Sequence, residues 1–187
     1  MDSSDSDFGG MARLVFYEKS GHWQRDDGYN TGATEITVVA LWKYAEYLAT
    51  TGQAAEAARR HREAWVIARP AGDYLHRAYD PQTSLMHGTL ASRDLWVSDS
   101  DCAADALRCL SRWAQTPGLT AAYDYDALAS RIVGGIQAMK DTETGRGFFK
   151  YRDSQHSLEP TDGESLDQLV FLLYEAETLP PRRAVCT

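Results

Sequence analysis

The residues best suited to chemistry lie close together near the start of the chain, in residues 21–31. Arg25 is followed by Asp26 and Asp27, and Trp23 stands two positions before the arginine. A guanidinium is a planar fork of donors, a carboxylate accepts hydrogen bonds from hydroxyls, and an indole offers a flat apolar face. This set could hold a polyhydroxylated ligand. The same residues could instead form a structural loop in which the charges pair with each other and Trp23 packs into the core.

Acidic residues in two later segments could supply acid–base chemistry. Inverting cleavage of a glycosidic bond needs two carboxyl groups roughly 6.5–9.5 Å apart, one protonated and one ionised. The catalytic candidates are Asp94 and Asp99, in the connection before the third predicted helix, and Glu159, before the fifth. Asp99 is also a plausible helix cap. A helix dipole keeps such a carboxylate ionised, which suits a base better than an acid.

Helices must position these residues, because apolar residues recur at helical spacing along most of the chain. The pattern predicts helices at about residues 34–51, 54–68, 101–115, 123–139 and 162–177. Short links between the first two and between the next two predict antiparallel α-hairpins. The chain therefore holds two α-hairpins and half of a third, which predicts an all-α fold.

Local signals sharpen this prediction at several points. Pro70 should end the second helix. The first helix should bury the face that carries Ile36, Ala40, Tyr44, Tyr47 and Leu48. The paired glycines 134 and 135 indicate a close approach to a neighbouring helix. Residues 73–99 form a long connection without helical period, and long structured loops tend to be functional.

Composition excludes some classes of function. The net charge of −8 makes nucleic acid an unfavourable partner. No apolar run has the length of a membrane span. The three cysteines have no metal-ligand spacing, and we expect no metal and no cofactor. The polar, acidic start has no features of a secretory signal, so we expect a reducing, cytoplasmic location. The expected organisation is a tail and lead-in at 1–20, one α-hairpin domain at 21–180 and a C-terminal tail at 181–187.

Several segments resemble the six-hairpin glycosidase superfamily, in particular its glucoamylase-type members. Residues 23–26 (Trp-Gln-Arg-Asp) resemble the Trp-x-Arg-Asp motif of that family, and residues 79–88 and 94–96 are similar to its loops. The resemblance implies an α/α toroid, here a partial one with an incomplete set of six hairpins. It also implies that Arg25 and Asp26 grip sugar hydroxyls, with Trp23, Tyr79 and Trp96 beside them as substrate-binding residues.

Two departures from the family keep other functions open. The family places its general acid, a Glu, directly after a Trp, whereas Trp96 is followed by Val97. The family's general base comes from a late hairpin, and the helices predicted here do not include one. One expectation is a glycoside hydrolase-like protein that binds a carbohydrate. The alternative is a non-hydrolytic toroid relative that binds a small metabolite or acts in a biosynthetic cyclisation. A half-ring of this kind could also complete itself as a homo-oligomer.

Overall fold

A computed structural model describes residues 8–12, 15–17, 23–25, 29–92, 95–140, 149–152 and 157–160. Within these residues the chain forms four helices, α1 (Thr31–Thr50), α2 (Ala54–Ala78), α3 (Val97–Ala114) and α4 (Tyr125–Ala138). The described part is thus mostly helical, as the all-α prediction requires. The fifth predicted helix lies outside the described residues.

Short antiparallel strands lie before α1, between α2 and α3, and after α4. β1 (Met11–Ala12) pairs with β4 (Tyr29–Asn30), and β2 (Val15–Tyr17) pairs with β3 (Trp23–Arg25). A five-stranded sheet has the order β5-β6-β7-β8-β9. Its strands are β5 (Tyr79–Asp80), β6 (Leu85–His87), β7 (Leu95–Trp96), β8 (Phe149–Arg152) and β9 (Ser157–Pro160). The connection that lacked helical period therefore contains the end of α2, strands β5–β7 and the start of α3.

Helices α1 and α3 lie side by side and run in the same direction. At their beginnings, Asp99 Oδ1 lies 3.1 Å from the position that a Cβ would take at Gly32. Further along both helices, the rings of Trp42 and Trp113 have centroids 5.6 Å apart. Because α1 packs on α2 and α3 packs on α4, the two hairpins meet through their first helices.

The buried face of α1 differs from the predicted one. Ile36, Tyr44 and Tyr47 are 66%, 52% and 61% exposed, so the prediction that this face forms the core is wrong, although Leu48 is buried as expected. The helix buries instead Thr31, Thr34, Glu35, Val38, Ala45 and Leu48. Hydrogen bonds to main-chain carbonyls let the threonines enter the interior. Since α1 has apolar residues on both faces, periodicity could not select the buried one.

Helix α2 continues through Pro70 to Ala78, so the prediction that Pro70 ends it is wrong. A proline inside a helix removes one main-chain hydrogen bond. The residues that follow it bury a continuous stripe against the rest of the molecule, which outweighs that loss. This stripe consists of Ala71, Gly72, Tyr74, Leu75 and Ala78.

Residues 8–12, inside the predicted tail and lead-in, lie against the first two helices. Arg77 Nη2 donates a hydrogen bond to Phe8 O at 2.6 Å, and Met11 N donates to Thr34 Oγ1 at 2.8 Å. Gly9 has φ +94°, and a Cβ there would overlap the carbonyl oxygen of Pro70. Only glycine fits this approach.

The two neighbouring glycines of α4 have different surroundings. A Cβ at Gly135 would overlap Ser84 O, in the turn between β5 and β6. At Gly134 no atom of the described residues lies within 4 Å of the corresponding position. The close approach predicted from the glycine pair therefore exists, but it is made by Gly135 alone and to a turn rather than to a helix.

Candidate functional site

The start of α1 is joined to the end of β6 and to Gly88 by three hydrogen bonds. Thr31 N donates to Gly88 O at 2.8 Å, and Thr31 Oγ1 donates to His87 O at 2.6 Å. Asn30 Nδ2 also donates to Gly88 O, at 3.3 Å. We call this part of the molecule, with β4, β6, β7 and the first turns of α1 and α3, the strand-bearing end.

Helix α3 begins at the same end, because β7 leads directly into Val97. Ser100, fully buried, accepts a hydrogen bond at Oγ from Met86 N of β6 at 2.9 Å. Asp99 lies in the first turn of α3, next to Gly32 in the first turn of α1. The sheet thus brings the beginnings of the two parallel helices together.

The Trp-x-Arg-Asp segment falls partly within the described residues. Trp23 and Arg25 form the two ends of β3, which pairs with β2, and only their main chain is described. Asp26 lies outside the described residues. Since β3 is followed by β4 and then α1, this segment leads into the strand-bearing end.

The remaining predicted residues are spread over the five-stranded sheet and α3. Asp99 is described in full, Trp96 is described by its main chain in β7, and Asp94 lies outside the described residues. Glu159 in β9 stands opposite Lys150 in β8, and only the main chain of this strand is described. Trp96 and Asp99 are therefore close in sequence across the β7–α3 junction, while Glu159 is two strands away from Trp96 in the sheet.

Tyr79, a predicted substrate-binding residue, takes part in the β5–β6 turn. Its hydroxyl shares a hydrogen bond with Ser84 Oγ at 3.1 Å, and Asp80 beside it accepts from Thr83 Oγ1 at 2.6 Å. Burial acts to raise the pKa of Asp80, but hydrogen bonds from Thr83 and Gln82 outweigh burial and hold that pKa below its usual range. Asp80 is accordingly an ionised turn residue rather than a proton donor.

Glu35, which the sequence did not single out, is a buried carboxyl at the strand-bearing end. The residue is 0% exposed, and neither carboxyl oxygen makes a hydrogen bond with any described residue. Burial, followed by the negative charges of Asp99 and Asp101, holds the pKa of Glu35 well above its usual range. Glu35 is thus a carboxylic acid that keeps its proton under conditions in which exposed carboxylates lose theirs.

A sequence signal for Glu35 exists in retrospect. The residues at helical spacing on the buried face of α1 read Thr31, Glu35, Val38, Trp42 and Ala45. One ionisable residue in an otherwise small or apolar stripe marks a buried charge. A buried charge with a perturbed pKa marks a candidate functional site.

A cavity of about 250 Å³ lies between α1 and α3, with Glu35 on its lining. The other lining residues are Ile36, Val39, Ala40, Cys102 and Asp105. Burial, then the charge of Asp101, raises the pKa of the Cys102 thiol. The thiolate is the nucleophilic form of cysteine, so Cys102 is unsuited to nucleophilic attack. The cavity therefore has mostly apolar walls together with two carboxyl-bearing residues, Glu35 and Asp105, and the carboxyl oxygens of Glu35 are themselves buried.

This arrangement suits proton transfer. A general acid must be protonated at the working pH, and its partner must be ionised. The raised pKa of Glu35 favours its protonated form, and Asp99 and Asp101 lie close enough for their charges to contribute to that rise. Among the residues that the structure describes, no three His, Cys, Asp or Glu side chains are grouped so that they could hold a metal ion.

No family model, curated protein or solved structure matches the chain. None of the helices in the described part is both long and apolar enough to cross a lipid bilayer.

Proposed function

We propose that this protein is a glycosidase-like enzyme that binds a carbohydrate or another polyhydroxylated ligand at the strand-bearing end. In this proposal, Glu35 and Asp99 are the paired carboxyl groups, with Glu35 as the protonated member and Asp99 as the ionised one. The observation that carries the proposal is the fully buried Glu35, whose pKa is raised by burial and by Asp99. The six-hairpin glycosidase family has its general acid directly after a Trp, whereas Trp96 is followed by Val97. In this proposal Glu35 takes the role of that acid.

The helix arrangement supports the toroid part of this proposal. An α/α toroid is built from hairpins whose inner helices run side by side in one direction. The proximity of Gly32 to Asp99 and of Trp42 to Trp113 gives α1 and α3 that relation. The proposed partial toroid has these two helices on the inside and α2 and α4 on the outside.

Hydrolysis of a panel of aryl glycosides and α-linked oligosaccharides tests the proposal. We expect Glu35→Gln and Asp99→Asn each to lower kcat by roughly 100-fold or more, because each removes a proton-transfer group. Asp126→Asn is the matched control, since Asp126 is an exposed carboxylate on α4 that pairs with Arg108 at 3.0 Å. The proposal is wrong if no glycoside is cleaved, or if Glu35→Gln retains wild-type turnover.

The sugar-gripping role of Arg25 has a separate test. Arg25→Ala should weaken binding of the best glycoside at least tenfold, because a forked charged donor to sugar hydroxyls is lost. Titration calorimetry measures this directly, with Arg62→Ala on the exposed side of α2 as the control. Unchanged affinity would assign Arg25 to a structural ion pair. Binding of sugars by wild type without any turnover would favour the non-hydrolytic alternative.

A second candidate function is self-association through the outer face of α1. Ile36, Tyr44 and Tyr47 form an exposed apolar stripe on that helix, and apolar patches of this kind mark interaction surfaces. In a closed toroid an inner helix has a neighbour on each side, whereas within the described residues α1 packs along its length only on α2 and α3. We propose a second copy of the chain as the missing neighbour.

Light scattering during size-exclusion chromatography tests self-association. The wild type should have the mass of a dimer at micromolar concentration, and Tyr44→Lys should reduce it to a monomer. Arg62→Glu, an exposed change on α2, should leave the dimer intact. A monomeric wild type at all concentrations rules this candidate out.

A further inference from the structure

We infer that self-association pairs α1 with the α1 of a second copy, in antiparallel directions, about a two-fold axis at Ala40. In this pairing, Lys43 of each copy enters the cavity between α1 and α3 of the other copy. The inference rests on the proposed self-association and deepens it, because it names the partner helix, its direction and the contact that orients it.

The exposed stripe of α1 is self-complementary about Ala40. At about 100° per residue, positions 33, 36, 40, 44 and 47 fall within about 80° of the helix circumference. When a two-fold axis relates two antiparallel copies of a helix, a residue before the axis lies opposite the residue equally far after it. Ile36 therefore lies opposite Tyr44 of the second copy. Ala33 lies opposite Tyr47 of that copy.

The sizes of the side chains favour this alignment. Each tyrosine of one copy faces a smaller side chain of the other, so the bulky rings do not collide. Ala40, an exposed residue, lies at the crossing point, where a small side chain lets two helices approach closely. The pairing buries the exposed apolar surface of Ile36, Tyr44 and Tyr47, which stabilises the dimer.

Lys43 lies on the side of α1 that borders the cavity. Val39 lines the cavity, and Lys43, four positions later, is turned only about 40° from it around the helix axis. A two-fold axis perpendicular to both helices keeps this side of each copy on the same side of the pair. Lys43 of the second copy then stands level with Thr37, within the stretch 35–40 from which α1 contributes to the cavity lining.

The cavity suits a lysine side chain. Val39 and Ala40 supply hydrocarbon walls, and Asp105 supplies a carboxylate from α3. A lysine has an apolar stem that packs on such walls and an ammonium group that binds a carboxylate. Within one copy Lys43 pairs with Glu46 at 3.0 Å, and these side chains are 61% and 38% exposed. An exposed pair contributes little to stability, so exchanging it for the contact with Asp105 of the other copy costs little.

Disulfide trapping tests the position of the axis. For helix axes about 8–10 Å apart and a Cα radius of about 2.3 Å, the two Cα atoms at position 40 lie about 3.5–5.5 Å apart. This interval overlaps the range that a disulfide requires. Ala40→Cys should therefore form a covalent dimer on mild oxidation at micromolar concentration, above the background that wild type gives through its native cysteines.

Ala33→Cys is the matched control for trapping. It is the same substitution on the same stripe, two helical turns away from the axis. In the antiparallel pair its two copies lie about 20 Å apart, so no link should form. A linked Ala33→Cys dimer would indicate parallel α1 helices, as in a continued ring, and would overturn the inferred pairing.

Exchange of charges tests the contact in the cavity. Lys43→Glu and Asp105→Lys should each raise the dissociation constant of the dimer at least tenfold, because each brings like charges together. The double variant brings opposite charges together again and should return the constant to within about threefold of wild type. Sedimentation equilibrium measures all four proteins, and Arg62→Glu on α2 should leave the constant unchanged.

The outcomes separate the pairing from self-association itself. A wild type that is monomeric at all concentrations overturns self-association and the pairing together. A dimeric wild type overturns only the pairing if Ala40→Cys forms no link. The same conclusion follows if Lys43→Glu leaves the dissociation constant unchanged, or if the double variant remains as weak as the single ones.

Discussion

The two ends of the α1–α3 contact bury opposite kinds of chemistry. The strand-bearing end buries polar side chains, namely Thr31, Thr34, Glu35, Ser100 and Asp101. The other end is formed by an aromatic cluster of Trp42, His61, Trp65 and Trp113, whose ring centroids lie 4.9–5.9 Å apart in the contacting pairs. In the same pair of helices, the aromatic end stabilises the contact between α1 and α3, and the strand-bearing end has the polar residues suited to function.

The comparison shows why the polar end is the functional candidate. Burying a polar group costs free energy unless it is hydrogen-bonded. The threonines meet this requirement, since Thr34 Oγ1 donates to Asn30 O at 2.8 Å, whereas Glu35 relies on protonation. A fold under selection for stability alone would place an apolar residue at position 35. The aromatic end supplies the stability that makes such a residue tolerable.

The largest effect is expected at the aromatic cluster. Trp113 is fully buried, and its Nε1 donates to His61 O at 2.9 Å. Trp113→Ala should lower the free energy of unfolding by about 3–5 kcal/mol, through lost burial and the cavity left behind. Urea denaturation followed by circular dichroism measures this. A loss below about 1 kcal/mol would mean that the stabilising region lies elsewhere.

The second effect concerns the pH dependence that Glu35 imposes. Because its pKa is higher in the folded protein than in the unfolded chain, its contribution to stability is fully present below the unfolded pKa and is lost as pH rises towards the folded pKa. In that window the free energy of unfolding of wild type should fall with a slope of up to about 1.4 kcal/mol per pH unit relative to Glu35→Gln. Parallel denaturation series from pH 4 upwards test this. Identical pH dependence in the two proteins would show that Glu35 ionises normally.

Two adjacent glycines offer a matched test of the packing under the strand-bearing end. Gly135→Ala should destabilise the protein by about 1–3 kcal/mol, because the new methyl group meets the main chain at Ser84. Gly134→Ala should stabilise it by up to about 1 kcal/mol through helix propensity, since the site is open. Thermal denaturation of both variants measures whether each substitution stabilises or destabilises the protein. Equal shifts in melting temperature for the two variants would contradict the close contact between Gly135 and Ser84.

The smallest effect separates the caps of α1 and α4. Asn30 Oδ1 accepts from Ala33 N at 3.0 Å, and Asp124 Oδ1 accepts from Ala127 N at 3.0 Å. Loss of either cap should cost about 1 kcal/mol. Asn30→Ala should cost more than Asp124→Ala, because Asn30 also holds Gly88 in the strand-bearing end. Equal losses would show that this bond adds no stability.

The sequence predicts which segments become helices better than where they end or which face they bury. Helical spacing identifies all four described helices, because each has apolar residues that recur over several turns. It misses the continuation of α2 beyond Pro70, which depends on burial against the rest of the molecule. Strands of two to four residues are too short to have a recognisable period.

The residues of the candidate site also differ in how well the local sequence predicts them. The Trp-x-Arg-Asp segment and Asp99 are recognisable from local sequence, because their residue types and spacing carry the signal. Local sequence shows Glu35 only as one ionisable residue in the buried stripe of α1. Its raised pKa is not visible there, because it is raised first by burial in the folded protein and then by Asp99 and Asp101 of α3, more than 60 positions further along the chain. Proximity between distant segments is a property of the fold, and a local pattern does not contain it.

The two hydrogen bonds from Thr31 to the main chain of residues 87 and 88 bear on the order of folding. These bonds connect positions 56 and 57 residues apart. The start of α1 can therefore dock only after the ribosome has released the chain beyond Gly88. Helices α1 and α2 can form their hairpin earlier through local contacts. The amide of Thr31 should therefore gain protection from hydrogen exchange late in refolding, after the amides in the middle of α2, so that the candidate site is the last part of this region to acquire its native geometry.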